Sequence, residues 1–147
     1  MADTLVAMAT VFTKIIEGEL PGRFVWRDDR CVAFLSINPL RHGHTLVVPL
    51  EEVDHWLDLD PDLNAHVLAV GQRIGHAQMA ALSPTRVGLI VAGMEVPHMH
   101  LHVVPIDTEQ DLDFRNAARN PDPADLDQAR VSIVAALRDA GHDPGVD

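Results

Sequence analysis

Three histidines alternate with apolar residues in segment 96–105, and this alternation constrains the fold more than any other feature of the chain. Successive side chains of a strand point to opposite faces, so a period of two is typical of a half-buried strand. We expect the histidines on one face and the apolar residues on the other. The histidines are His98, His100 and His102, and the apolar residues are Met99, Leu101 and Val103. A solvated strand face usually carries Thr, Lys, Glu or Arg, so three imidazoles in five residues favour a functional site.

Length, charge and cysteine content exclude several classes of protein. The 147 residues suit one domain, and the formal charge of −11 argues against a nucleic-acid polymer as partner, because phosphate backbones bind basic faces. A small anionic ligand held by local donors remains compatible with that charge. Cys31 is the only cysteine, so the chain has neither an internal disulfide nor a Cys-x-x-Cys zinc motif.

The chain shows no basic leader and no apolar run of membrane-spanning length. We therefore expect a cytoplasmic protein without a membrane partner. Residues 1–10 are expected to form a loose arm.

The remaining sequence predicts four further strands and three helices, with an additional short helix at 51–59. The strands are expected at 23–27, 31–35, 44–49 and 86–92, and the helices at 11–17, 51–59, 61–82 and 125–140. Phe24 and Trp26 are expected on one face of the first strand, and Gly71 and Gly75 indicate that the long helix packs closely on a sheet. Short turns between successive strands favour antiparallel pairing, so the predicted class is α+β.

Histidines on a strand can ligate a metal, exchange protons or attack an electrophile. Two histidines at i and i+2 can share a zinc ion, with His42 or His44 completing the site, so a zinc hydrolase is one hypothesis. Alternatively, a neutral imidazole attacks phosphorus while flanking imidazoles donate hydrogen bonds to the phosphate oxygens. A central histidine between two others supplies this second geometry compactly.

The sequence His-Met-His-Leu-His-Val-Val at 98–104 is similar to the signature of the histidine triad (HIT) family. Segments 12–21, 28–34 and 43–49 resemble further landmarks of the family, so the resemblance covers about residues 11–105. It implies a five-stranded antiparallel sheet with the long helix and the C-terminal helix packed on it. It also implies a HIT domain at 11–107, with an acidic loop and helix at 108–147 in the same globular unit, and a two-fold homodimer.

The resemblance further implies a reaction and the residues that perform it. Members hydrolyse or transfer nucleoside monophosphates from phosphoramidates, dinucleoside polyphosphates or similar esters through a nucleotidyl-histidine intermediate, with no metal or cofactor. By this resemblance His100 attacks, His102 and His44 contact the α-phosphate, and His98 supports the hydrogen-bond network. The apolar positions that match the base pocket are Phe12, Ile15 and Leu20.

Several positions depart from the family pattern. Ser36, followed by Ile37, stands where members carry an aspartate that holds the ribose, and a hydroxyl gives one weak contact in place of a carboxylate. Glu95 stands where members often carry a small hydroxyl near the leaving group, where it would repel phosphate or act as a general acid. Glu52 replaces a usual histidine, with His55 slightly later. These departures leave a third hypothesis, a non-catalytic nucleotide- or phosphate-binding module.

Two expectations concern charged groups outside the histidine segment. Arg41 is the better of the candidate arginines for steering an anion. The acidic stretch 107–127 is expected to be a solvated loop.

Overall fold

The computed structural model describes residues 9–147, so most of the expected arm at 1–10 lies outside the described residues. The helices are α1 (Val11–Ile16), α2 (Pro61–Leu82) and α3 (Pro123–Asp139). The strands are β1 (Phe24–Arg27), β2 (Cys31–Leu35), β3 (Thr45–Pro49), β4 (Arg86–Ile90) and β5 (Leu101–Ile106). Single 3-10 turns occur at Trp56–Asp58, Glu109–Leu112 and Phe114–Asn116. Within the described part of the chain, no helix combines the length and apolar character of a membrane span.

All five strands form one sheet in the order β1-β2-β3-β5-β4, and every neighbouring pair is antiparallel. The α+β class and the five-stranded antiparallel sheet are therefore confirmed. The two edges of the sheet are β1 and β4. β3 and β5 lie side by side near its centre and run antiparallel, which brings the end of β3 close to the segment before β5 and the start of β3 close to the middle of β5.

The two long helices pack on one face of the sheet and form the main core with it. Apolar residues of α2 and α3 meet Met99, Leu101 and Val103, as the alternation predicts. A methyl group added at Gly71 would lie 2.8 Å from the Leu101 side chain, so the glycine permits the close approach of α2 that its position suggested. The opposite face is covered by α1 and a smaller apolar cluster.

The expectation that Phe24 and Trp26 share a face is wrong. Phe24 pairs with Phe34 and Trp26 with Ala33, so the register shifts between them through a β-bulge. An extra residue reverses the alternation, and the two rings therefore enter different clusters. Phe24 packs edge-on against Phe34, while Trp26 joins the main core.

The histidine strand is shorter than its pattern predicts. β5 begins at Leu101, so His98 and His100 lie in the segment that leads into the strand. There the His98 N–H donates to the Val96 carbonyl at 2.8 Å, and the Met99 N–H donates to the Val53 carbonyl at 2.6 Å. The backbone N–H groups of these two residues therefore bond to a turn and to a loop, and not to a neighbouring strand of the sheet. The predicted helix at 51–59 is likewise reduced to one 3-10 turn.

Candidate active site

Four histidines meet on the sheet face that α1 covers. They are His44, His98, His100 and His102, and each is less than 10% exposed. The centroids of the His100 and His102 rings are 4.8 Å apart, and those of His44 and His102 are 5.1 Å apart. Because Met99 and Leu101 point to the opposite face, the three triad rings form one row.

The His98 ring is hydrogen-bonded at both nitrogens. Its Nε2 lies 2.8 Å from the Pro49 carbonyl oxygen, and its Nδ1 lies 2.9 Å from the Thr10 hydroxyl. A carbonyl only accepts hydrogen bonds, so Nε2 carries the proton and Nδ1 of the neutral ring accepts from Thr10. His98 therefore has no free nitrogen to offer a ligand.

The His100 ring has one nitrogen bound and one free. Its Nδ1 donates to the His98 carbonyl oxygen at 2.7 Å, which fixes the proton on Nδ1. The neutral ring then presents an unprotonated Nε2 lone pair. The Phe12 ring packs edge-on against this imidazole, with 4.9 Å between centroids, and fixes its plane.

A hydrogen bond joins the His44 and His102 rings, and in both of them the proton lies on Nε2, whereas in His100 it lies on Nδ1. The Leu40 N–H donates to His44 Nδ1 at 3.0 Å, so the His44 proton lies on Nε2. That nitrogen donates to His102 Nδ1 at 2.9 Å. The His102 proton therefore lies on Nε2, and His102 offers an N–H donor beside the bare nitrogen of His100.

Burial keeps the four rings neutral. Desolvation, together with the nearby histidines, lowers the pKa of His44 to about 3 and that of His102 to about 4. Burial also lowers the pKa of His98 and His100. The hydrogen bond to the His98 carbonyl and the charge of Glu95 oppose part of the shift at His100. At pH 7 the row therefore consists of uncharged imidazoles with fixed donors and acceptors.

The comparisons with known proteins decide the family. A family model described as the HIT domain matches residues 17–109. The chain belongs to the HIT family. A HIT-like protein of uncharacterised function from Borreliella burgdorferi is 42% identical over 102 residues, which cover 65% of this chain and 73% of that protein. The adenylylsulfatase HINT3 of Arabidopsis thaliana is 29% identical over 133 residues, which cover 87% of this chain and 67% of that protein.

A solved HIT structure gives the same result. The Zn-bound histidine triad family protein from Mycobacterium smegmatis superposes with a TM-score of 0.79 at 31% identity, covering 91% of this chain and 96% of that chain. HIT membership supports a nucleotide-binding function of the hydrolase or transferase type. The histidine triad is thus both a sequence signature and a structural row in this chain.

The histidine row of this HIT protein does not fit a zinc ion. The hydrogen bonds described above leave only Nε2 of His100 and Nε2 of His102 without a partner among the described residues. A catalytic zinc site uses three protein ligands as a rule. The arrangement instead suits nucleophilic attack by one imidazole beside a second that donates a hydrogen bond.

The positions matched to the HIT base pocket lie around α1. Phe12 is buried, Ile15 is half-buried in the same apolar cluster, and Leu20 is exposed after the end of α1. The Ser36 N–H donates to the His44 carbonyl at 3.0 Å, so Ser36 lies at the edge of the histidine row. Ile37 and Glu95 are exposed.

Two residues beside the row, Thr10 and Phe114, were missed by sequence reasoning, and Glu52 was noted only as a departure from the family pattern. Thr10 and Glu52 form hydrogen bonds near His98, and the Phe114 ring packs edge-on against His102 with 5.2 Å between centroids. Thr10 precedes α1 as its N-cap, which is a recognisable signal, but nothing local indicates its bond to a histidine 88 residues away. The stretch 107–127, expected to be a solvated loop, therefore places an aromatic ring beside the histidine row.

Two other charged side chains, Arg41 and Asp28, form ion pairs or hydrogen bonds with neighbouring residues of the fold. Arg41 forms ion pairs with Asp107 and Asp111, so two carboxylates offset the charge that was expected to steer an anion. Asp28, Cys31 and His66 lie within metal-binding reach of one another. Burial opposes ionisation of Asp28, but hydrogen bonds from Trp26, from two backbone N–H groups and from His66 outweigh it and bring its pKa to about 2. Burial raises the pKa of the Cys31 thiol, which stays protonated and contributes a weak donor to Asp28.

Proposed function

We propose that the protein is a metal-independent nucleotidyl hydrolase or transferase that works through a covalent nucleotidyl-histidine intermediate. The observation that supports this most directly is that two neighbouring imidazole rings, His100 and His102, carry their protons on different nitrogens. His100 presents a bare Nε2, and His102 presents an Nε2–H, because each Nδ1 has a different partner. One ring is thus a nucleophile and the other a donor to a phosphate oxygen.

In the first step the His100 Nε2 lone pair forms a bond to the α-phosphorus as the bond from phosphorus to the leaving group breaks. The leaving group departs with the electron pair of that bond, and an amine leaving group takes a proton from solvent. Positive charge develops on the imidazole, and the His98 carbonyl that accepts its Nδ1–H stabilises it. The His102 N–H donates to a non-bridging oxygen. In the second step water, or an acceptor hydroxyl, attacks phosphorus and loses its proton to solvent. The breaking bond between phosphorus and Nε2 returns its electron pair to Nε2 and frees the nucleotide.

The substrates we propose are nucleoside phosphoramidates, dinucleoside polyphosphates and related nucleotidyl esters. Adenylylsulfate joins this group because a relative that aligns with 87% of this chain is an adenylylsulfatase. Ser36 offers a single hydroxyl at the edge of the row, so discrimination between ribose and deoxyribose should be weak.

The test is a turnover screen of adenosine phosphoramidate, diadenosine polyphosphates and adenylylsulfate, with and without a metal chelator. His100→Ala should abolish turnover, because no other bare imidazole nitrogen faces the site, and it should leave nucleotide binding within a few-fold of wild type. Mass spectrometry of acid-sensitive adducts should show one nucleotidyl group on His100 after rapid quenching.

Three results would contradict the proposal. Full activity of His100→Ala would exclude the covalent route. Loss of activity with the chelator, restored by zinc, would favour a zinc hydrolase. Tight nucleotide binding with no turnover across the panel would favour a binding module.

We further propose a homodimer that joins two copies along β4. A groove of about 770 Å³ lies between α2 and β4, and its lining includes the exposed apolar side chains of Leu68, Met79 and Leu89. β4 is an edge strand, and an uncovered apolar edge favours pairing with another chain. A second copy would cover both the strand edge and the groove by the same two-fold contact.

A further inference from the structure

A chain of hydrogen bonds connects Glu52 to the His98 ring. Glu52 Oε1 accepts the Thr10 N–H at 2.9 Å and the Thr13 hydroxyl at 2.7 Å. The Thr10 hydroxyl lies 2.9 Å from His98 Nδ1. These four residues come from the start of α1, the loop after β3 and the segment before β5, so the network joins three parts of the chain behind the row of imidazoles.

The direction of each proton follows from its partners. A carboxylate only accepts, so the Thr13 hydroxyl donates to Glu52. The Thr13 N–H donates to the Thr10 oxygen at 3.1 Å. The Thr10 hydroxyl proton has two acceptors within reach, the Thr13 hydroxyl oxygen at 3.3 Å and His98 Nδ1 at 2.9 Å, and we assign it to the shorter bond, to His98. The Pro49 carbonyl already holds the His98 proton on Nε2. The network and the carbonyl therefore favour the same neutral tautomer of His98.

The anchored His98 ring matters because the main chain of the same residue orients the nucleophile. The His98 carbonyl accepts the Nδ1–H of His100 at 2.7 Å. With the His98 side chain bonded at both nitrogens, rotation of its backbone, and thus of that carbonyl, is restricted. The same anchor holds α1, whose Phe12 packs against the His100 ring.

We infer that Glu52 and Thr10 are positioning residues, which lock the His98 ring and thereby keep His100 with a protonated Nδ1 and a bare Nε2. Neither residue touches the reacting atoms. Their effect on turnover rests on the proposed function, whereas their effect on the imidazole tautomers does not.

The experiment compares variants that remove the network with variants that preserve it. Thr10→Val removes the hydroxyl at nearly constant shape, and Glu52→Leu removes the acceptor. Thr10→Ser and Glu52→Gln keep the required oxygen atoms. Thr10→Val also removes the α1 N-cap, so Val11→Gly serves as the control for a weakened helix, because it places a poorer helix former at an exposed position of α1 outside the network.

The first readout needs no substrate. In ¹⁵N-histidine-labelled protein, assigned through single histidine substitutions, wild type should show His98 as the Nε2–H tautomer and His100 as the Nδ1–H tautomer. Thr10→Val and Glu52→Leu should shift the His98 Nδ1 signal and convert His100 to a mixture of tautomers. Thr10→Ser, Glu52→Gln and Val11→Gly should resemble wild type.

The second readout is steady-state kinetics on whichever nucleotidyl substrate wild type turns over. Thr10→Val and Glu52→Leu should lower kcat about tenfold with KM nearly unchanged, since one hydrogen bond that orients the nucleophile is lost. Unchanged ring signals in Thr10→Val would overturn the inference, as would an equal loss of kcat in Val11→Gly. A wild type without turnover would refute the proposed function alone, because the ring signals still test the network.

Discussion

His44 is a buried base that hydrogen bonds hold neutral, and this has a consequence for stability. Its ring accepts from Leu40 and donates to His102, so a second proton would face the Leu40 N–H. Burial reinforces the effect and lowers the pKa of His44 to about 3 and that of His102 to about 4. In the unfolded chain both pKa values return to about 6.5.

We predict that the free energy of unfolding falls as the pH drops from 7 to 5. In this window the unfolded chain binds protons at these two histidines and the folded protein does not, so the stability that is fully present above pH 6.5 is lost as the pH falls toward the folded pKa. The loss should be about 2 kcal/mol for each histidine. Urea denaturation at pH 7, 6 and 5 measures it.

Two substitutions test the origin of this pH dependence. His44→Asn should remove the part of the pH dependence that His44 contributes, whereas His55→Asn should leave the pH dependence unchanged, because His55 is exposed and lies outside the groove of the proposed dimer. Equal slopes in wild type and His44→Asn would show that the buried row is not the cause.

The four histidines of the site could be predicted from their alternation and from the family resemblance, but their protonation could not. Which nitrogen carries the proton depends on the Pro49 carbonyl, the Leu40 N–H and the Thr10 hydroxyl. These partners are fixed only after β3 and β5 pair and α1 docks. The ion pairs of Arg41 could not be predicted for the same reason, since its carboxylate partners lie 66 and 70 residues away.

At the level of elements, α2 is connected to the site through a fully buried glutamine. Gln78 Nε2 donates to the carbonyls of Gly43 and Val103, each at 3.0 Å, and so joins the helix to the segment before β3 and to β5. Its Oε1 has no partner among the described residues. The two donated bonds fix the position of the backbone just before His44.

We predict that Gln78→Met destabilises the protein by about 1–3 kcal/mol, because two buried carbonyls lose a donor. Gln128→Met on α3 is the control, since the Gln128 side chain forms its bonds at the surface, where water replaces them. The control should change the free energy of unfolding by less than about 0.5 kcal/mol. Chemical denaturation compares the two, and similar values for both would refute the role of Gln78.

The 3-10 turn Phe114–Asn116 places an aromatic ring against the histidine row. Phe114 packs against the donor imidazole His102, and edge-to-face aromatic pairs contribute about 0.5–1.5 kcal/mol. Phe114→Ala should therefore lower kcat/KM about 2- to 10-fold, while Phe114→Tyr retains the ring and should match wild type. The assay uses the best substrate of the turnover screen. An unchanged kcat/KM in Phe114→Ala would show that this ring does not support His102.

Elements were predictable where the local pattern and the tertiary structure agree. The long helix begins at Pro61 after the Asp60 N-cap and ends at Leu82, as its stripe and caps indicate. The bulge between Phe24 and Trp26 was not predictable, because an extra residue leaves no mark on composition. The first two triad histidines precede β5 since Met99 bonds to the Val53 loop, a partner that the alternation does not reveal.

The two edge strands of the sheet, β1 and β4, differ in whether another segment of the described chain covers them. Segment 143–147 covers β1: the Arg27 N–H donates to the Pro144 carbonyl at 2.8 Å, and Arg130 and Arg138 donate to the carbonyls of Asp147 and Val146. Gly145, at φ +71°, lies so close to the Arg27 carbonyl that a side chain would not fit. Among the described residues no such segment pairs with the outer edge of β4.

This asymmetry predicts that the chain dimerises through β4 and not through β1. Leu89 is 49% exposed on β4, and Leu89→Lys places a charge in the proposed contact, so it should convert the dimer to a monomer. Val131→Lys is the matched control, because Val131 is 63% exposed on α3, outside the groove, and its variant should remain dimeric. Light scattering after size exclusion measures both masses. A monomeric wild type, or a dimeric Leu89→Lys, would refute an interface at β4, because the apolar groove and the unpaired strand edge both require the same second copy to cover them.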